Sequence, residues 1–239
     1  MMYFRRGVAA LERGAFWGLY SGVAIWTDQV RDYLLCLHRQ NLRVERLRRM
    51  LFGRVFNLRE HPPSSLLIVR YDNLGDTATV VPLLAHLRRM LPQTRLHLLT
   101  NPGSRSPVGA SDLLEGCSFL DSIIRCTREE LRSAAGLARV ISQVRATKAE
   151  YALFLYILPR FSILVRHMLF LRTAGIRRCF GFRTERLQRY GELVAKHIRV
   201  LQQTMRFAWV LEKVGIDCSN LPTTVKLPWD DSCLLYTSD

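Results

Sequence analysis

At 239 residues the chain is long enough for one or two domains, and 49% hydrophobic against 23% charged residues is a foldable composition that excludes a disordered segment. Lys and Arg total 35 against 20 Asp and Glu, a formal net charge of +15 carried mostly by arginine, so an anionic partner is implied: nucleic acid, a phosphorylated substrate or an anionic membrane face. The six cysteines make no C-x-x-C pair and no Cys/His set with zinc spacing, which argues against a zinc module and for reduced thiols in a cytoplasmic compartment. No stretch reaches the ~20 apolar residues of a membrane span, and Ala15 to Trp26 lacks the cleavage site of a signal peptide.

Residues 1–61 read as a basic helical arm. Phe16, Trp17, Tyr20 and Trp26 lie among small residues, and from Val30 apolar residues recur at Leu34, Leu37, Val44, Leu47 and Leu51. The other positions carry Arg39, Arg43, Arg46, Arg48 and Arg49. Two arrangements fit: an arm packed on the main domain with its arginines in water, or a helix lying on an anionic bilayer. Nucleic acid is set aside as a partner because no base-reading module follows. Residues 62–65, Pro-Pro-Ser-Ser, are a linker, since two prolines favour extended backbone.

From Leu66 short strands alternate with helices. Leu66 to Val69 is the first strand, Tyr71 to Gly75 a polar loop and Thr77 to Met90 a helix, with Pro82 too deep for an unbroken one, so a kink or a two-piece helix is expected. Arg95 to Thr100 is a strand, Val108 to Glu115 a short helix and Ser122 to Cys126 a strand. A helix is expected from Glu129 to about Lys148, its acidic start suiting the helix dipole. Tyr151 to Leu158 reads as one near-continuous apolar strand. Phe161 to Ala174 is a helix stopped by Gly175, Arg178 to Phe182 a strand, His197 to Val214 a helix stopped by Gly215, and Val225 to Leu227 a last short strand. This alternation predicts an α/β fold with a doubly wound, mostly parallel sheet over residues 66–220. The seven residues Cys233 to Asp239 match the translation of a transposase-end adapter used in sequencing libraries, so the native sequence is expected to diverge near Ser232.

The chemistry gathers between the first strand and the first helix. Asp72 and Asp76 supply two carboxylates beside a helix start, and in a parallel sheet ligands bind where such loops lie, at the carboxyl ends of the strands. Asp76 has two readings from spacing alone, an N-cap of the following helix or a general base toward a substrate hydroxyl. The loop is neither a G-x-G-x-x-G fingerprint nor a Walker A loop, and no Ser-His-Asp arrangement is present.

Arg70-Tyr-Asp-Asn-Leu-Gly-Asp76, with Pro82 and the Leu87-Arg88-Arg89 to Pro92 run, resembles the N-terminal signature of glycosyltransferase family nine, roughly R-x-D-x-x-G-D-x(5)-P. These are the ADP-heptose:lipopolysaccharide heptosyltransferases and their relatives. The Tyr151 to Leu158 stretch, Gly181-Phe182 after Arg177-Arg178 and the helix ending at Leu211 to Gly215 agree with it, over about Ser64 to Trp229. The resemblance implies the N-terminal, acceptor-binding half of a GT-B architecture of two facing Rossmann-like domains, with residues 221–232 starting the interdomain linker and a donor domain of ~100–150 residues still to follow. It implies an inverting transfer with no bound metal or other cofactor and a nucleotide sugar, ADP-heptose-like, as co-substrate. Asp76 would be the catalytic base, and Asp72, Asn73 and Gly75 would shape the pocket of an anionic glycolipid acceptor. Arg105 and Arg160, just past strand ends, are further candidates for its phosphates and carboxylates, with a solvated surface role the alternative. The chain departs from the pattern at Ile157-Leu158-Pro159, where polar residues are common, which leaves room for an acceptor other than heptose-Kdo. The expected setting is the cytoplasm, on the inner face of the plasma membrane. The competing expectation is a non-catalytic module that binds an anionic lipid or polymer through the basic arm.

Overall fold

The computed structural model describes residues 42–71, 74–102, 110–127, 129–158, 160–184 and 203–222, with 225 and 227. The expectations for 1–41 and 233–239, and for Asp72, Asn73 and Arg105, fall outside these residues.

Five parallel strands form the sheet: β1 (Ser65–Arg70), β2 (Arg95–Thr100), β3 (Ser122–Arg125), β4 (Tyr151–Phe154) and, after a short excursion, β6 (Arg178–Phe180). Their order is β3-β2-β1-β4-β6, with every neighbouring pair parallel. This is a Rossmann-like, doubly wound α/β fold. β1 is central because it is apolar on both faces: Leu66, Leu67, Ile68 and Val69 have no exposed surface, each contributing about 1.5–3 kcal/mol by burial.

The strand alternation sends side chains into two cores. Leu66 and Ile68 face α3 (Val81–Met90), the end of α4 (Ala110–Leu113) and α7 (Gln203–Glu212), preceded on the chain by α2 (Leu74–Ala78). Leu67 and Val69 face α5 (Ala134–Ala146) and α6 (Phe161–Thr173). Residues 42–52 are helical, here α1, and join this second core through Val44 and Phe52. Arg48 fixes α1 in place: its guanidinium is buried, grips Glu45 with two bonds of 2.8 Å and donates to the carbonyls of Gly53 and Cys179, each at 3.1 Å. Packing against the domain is therefore the arrangement that 42–52 adopts. Leu58 enters the first core, and its N–H donates to the Val214 carbonyl at 2.7 Å.

The helix expected from Thr77 to Met90 is in two pieces, as Pro82 required. α2 starts earlier than expected, at Leu74, and α3 carries Pro82 in its first turn, where a missing N–H leaves no bond unmade. The single helix expected over 129–148 is instead a 3₁₀ turn, Glu130–Arg132, followed by α5. Thr127 and Glu130 form a reciprocal capping box, and Ser133 then caps α5 by accepting from Gly136 N–H at 3.0 Å. Two N-caps six residues apart, at Thr127 and Ser133, cannot sit inside one helix.

A second correction concerns Tyr151 to Leu158. The chain leaves the main sheet after β4, and β5 (Ile157–Leu158) pairs with β7 (Arg183–Thr184) in a separate two-stranded sheet. The strand expected at Arg178 to Phe182 ends at Phe180, and β7 begins only at Arg183. Gly181, with φ of +90°, makes the bend. A Cβ there would overlap the Phe154 carbonyl oxygen. Gly181→Ala is accordingly expected to cost about 2 kcal/mol or more, from the left-handed backbone and the clash together. A thermal unfolding midpoint unchanged from the parent would contradict that. Val225 and Leu227 pack against the first core without forming a strand. Among the described residues no helix is long and apolar enough to cross a membrane.

Candidate functional site

The strands being parallel, Arg70, Thr100, Arg125, Phe154 and Phe180 end at one edge of the sheet. From β1 the chain winds outward through β2 and β3 on one side, then crosses to β4 on the other, so the order reverses between β1 and β4. In open α/β sheets the ligand crevice opens at such a reversal. The Arg70-to-Asp76 stretch issues from there.

Arg70 closes β1 and is the largest fully buried side chain, 1% exposed. Its Nη1 donates to the Leu155 carbonyl at 2.7 Å, and its guanidinium stands 5.3 Å from the Phe207 ring centre. Leu155 N–H in turn donates to Val69 at 3.0 Å. A buried guanidinium loses its hydration and needs such partners. The result is a clamp that joins β1 to the first residue beyond β4 at the point where the order reverses.

On the opposite face the residue after Arg70 enters an aromatic cluster. Tyr71 lies 5.3 Å from the His167 ring and 6.2 Å, edge-on, from Tyr156. Phe154 contacts His167 at 5.6 Å and stacks on Phe182 at 4.6 Å. Burial pushes the Tyr71 hydroxyl well above the usual tyrosine range, with the neighbouring Cys126 thiol adding to it. Burial, then the charge of Glu130, raises that thiol to about 12. Neither group is an acid or a nucleophile near neutral pH. They hold the start of the Asp72 loop as packed walls.

His167, on α6, is held neutral by the same surroundings, burial lowering it to about 4. An unfolded histidine titrates near 6.5. Between those values the unfolded chain binds the extra proton, so stability is complete above pH ~6.5 and falls as the pH drops toward 4. The loss is on the order of 3 kcal/mol from a shift of this size. His97, lowered in the same direction by burial, adds to the slope. His167→Phe is expected to flatten the decline in urea midpoint over that interval; an acid limb as steep as the parent's would contradict the assignment.

The expected site residues are distributed as follows. Asp76 is the third residue of α2. It therefore does not occupy the N-cap position expected of it at the start of a Thr77 helix, because α2 already begins at Leu74. An acidic residue in a first turn still suits the helix dipole. Gly75 is exposed, and open space surrounds the position of its absent Cβ. Arg160 is exposed at the N-cap position of α6 without a side-chain cap bond. Among the described residues no three His, Cys, Asp or Glu side chains gather as metal ligands. Arg70 and the Tyr71–His167–Tyr156 cluster were absent from the site expected from sequence. For Arg70 the signal was available, a lone cation closing an entirely apolar strand. For the cluster it was not, because its members come from three separate segments.

Sheet order and helix layering define a Rossmann-like α/β domain, with the Arg70-to-Asp76 stretch leaving its central strand where the strand order reverses. The chain is similar to "the glycosyl transferase family 9 from Veillonella parvula DSM 2008", with TM-score 0.52 and 14% identity, over 71% of this chain and 46% of that one. It also matches E. coli heptosyltransferase WaaC with ADP-2-deoxy-2-fluoro heptose and with ADP, at TM-scores of 0.43 and 0.39 and 12% identity in each. Those two alignments cover 67% of this chain and 50% and 49% of WaaC. The chain thus spans about half the length of the solved structures it matches. No family model and no curated protein matches the sequence.

Proposed function

We propose that this chain is the acceptor-binding half of an inverting GT-B glycosyltransferase. The full protein would move a heptose-like sugar from a nucleotide-sugar donor to a lipopolysaccharide or other cell-envelope glycan. The observation that carries this reading is the position of the R-x-D-x-x-G-D stretch. It leaves the central strand at the reversal of strand order, in a fold similar to a family 9 transferase. A ligand crevice is expected at such a reversal, and Asp72 and Asp76 are the carboxylates proposed for it.

In the proposed step the Asp76 carboxylate takes the proton of the acceptor hydroxyl. The hydroxyl oxygen attacks the anomeric carbon from the face opposite the leaving group, and the nucleoside diphosphate departs with the bonding electron pair. Asp72, Asn73 and Gly75 line the acceptor side. Arg105 and Arg160 serve its anionic groups, where a guanidinium makes bidentate, permanently charged contacts. The donor would be held by a second Rossmann-like domain. The setting that fits such an acceptor is the cytoplasmic face of the plasma membrane, with the basic residues of 1–60 toward anionic lipid.

The deciding experiment is sugar transfer by a protein that carries both halves, compared with its Asp76→Asn variant. Normal transfer by a folded Asp76→Asn protein would remove Asp76 as the base. Failure of the two-domain protein to turn over any nucleotide sugar would leave the alternative, a non-catalytic module that binds an anionic lipid or polymer. The exposed arginines of α1 are what favour that second reading.

A further inference from the structure

Among the described residues five large hydrophobic side chains are exposed, and all five lie on α1, the loop after it, or α6. They are Leu42 at 45%, Met50 at 75%, Phe56 at 46%, Phe161 at 43% and Leu169 at 50%. Single exposed apolar residues are ordinary on any surface. That four of the five lie on two helices packed on the same core is not. Arginines alternate with them: Arg43, Arg46 and Arg49 are exposed on α1, and Arg166 and Arg172 on α6.

The geometry of α1 enforces this. Val44, Arg48 and Phe52, spaced four apart, turn inward and are buried, and Leu47 and Leu51 pack partly against the same core, which leaves Leu42, Arg43, Arg46, Arg49 and Met50 facing out. The one carboxylate of α1, Glu45, is held by Arg48 and Arg49. α6 contains no acidic residue. The outward face of both helices thus joins positive charge to projecting Leu, Met and Phe side chains, with almost no negative charge between them.

We propose that the α1–α6 face docks on an anionic lipid bilayer. Arginines meet the headgroup charge, and the exposed apolar side chains enter the boundary between headgroups and acyl chains. A nucleic-acid backbone would use the arginines but gains nothing from Met50 and Leu169. The face also reaches the candidate site, since His167 of α6 packs on Tyr71 next to the Asp72 loop. If the transferase reading holds, a lipid-linked acceptor would arrive at the crevice from this side. The docking itself does not rest on that reading, and its test needs no sugar transfer.

The test is sedimentation of the whole chain with vesicles of phosphatidylcholine alone and of phosphatidylcholine mixed with phosphatidylglycerol. Binding to the mixed vesicles only, weakened by added salt, is expected. The triple variant Arg43→Gln, Arg46→Gln, Arg166→Gln should bind them about a hundredfold more weakly, from a factor of about five per basic residue near the surface. The charge-matched control Arg89→Gln, Arg95→Gln, Lys213→Gln, with Arg89 on α3 and Lys213 just after α7 on the side of the other core, should stay within about twofold of the parent, since screening limits distant charges. Met50→Ser with Leu169→Ser should weaken binding with the charge intact. Circular dichroism establishes that each variant is folded. Equal binding to both vesicle types, binding to neither, an equal loss in the control, or preferential capture by duplex DNA would each overturn the proposal.

Discussion

Arg70→Ala is expected to destabilise the domain by about 3–5 kcal/mol, combining a lost charged hydrogen bond with the cavity left by a large buried side chain. The argument rests on where Arg70 sits. It is almost wholly enclosed, donates to the Leu155 carbonyl at 2.7 Å and lies over Phe207. Removing it strands a carbonyl that has left the sheet and opens space between β1, β4 and α7. Arg70→Met separates the contributions. Methionine fills much of the volume but offers no donor, so about 1.5–3 kcal/mol should remain lost. Urea unfolding at constant m-value measures both. A loss under 1 kcal/mol in the alanine variant would mean that the clamp between β1 and the segment after β4 carries little of the fold.

The largest effect on activity is expected from Asp76→Asn in the two-domain protein, a fall in transfer rate of about 10²–10⁴-fold, the usual contribution of a positioned general base. The amide preserves size but cannot accept the acceptor proton, so the loss should appear in kcat more than in KM. Asp76 is the third residue of α2 and not the residue before it. Unfolding should therefore change by only a few tenths of a kcal/mol, the size of a first-turn dipole interaction. A variant equally impaired in folding and in transfer would point to a structural carboxylate.

Much of the fold was legible in the sequence because strand and helix periods differ and because glycine and proline mark ends. Arg95–Thr100 agrees residue for residue with the strand expected there, and Pro82 announced the division of α2 from α3. What could not be read was local competition among polar groups and the point at which an apolar run changes partners. Thr127, Glu130 and Ser133 look like ordinary residues of one long helix until their side chains are seen to cap two turns. Leu155 and Tyr156 continue the hydrophobic run of β4, and nothing in their composition reveals that the chain departs there. The motif located the candidate site, whereas its walls, Tyr71, Tyr156 and His167, become neighbours only through the fold.

The inward stripe of α1 also fixes how this domain can be cut. Pro62 and Pro63 look like a natural place to begin it, yet a chain begun there would lack Val44, Phe52 and Leu58, all buried, and the guanidinium that satisfies the Cys179 carbonyl. It would also uncover the ring of Phe182, which Phe52 covers at 6.2 Å, and leave the Val214 carbonyl without the Leu58 N–H. The segment before the prolines is thus a wedge that two layers of the sheet require. A piece meant to stand alone therefore keeps Val44 through Leu58.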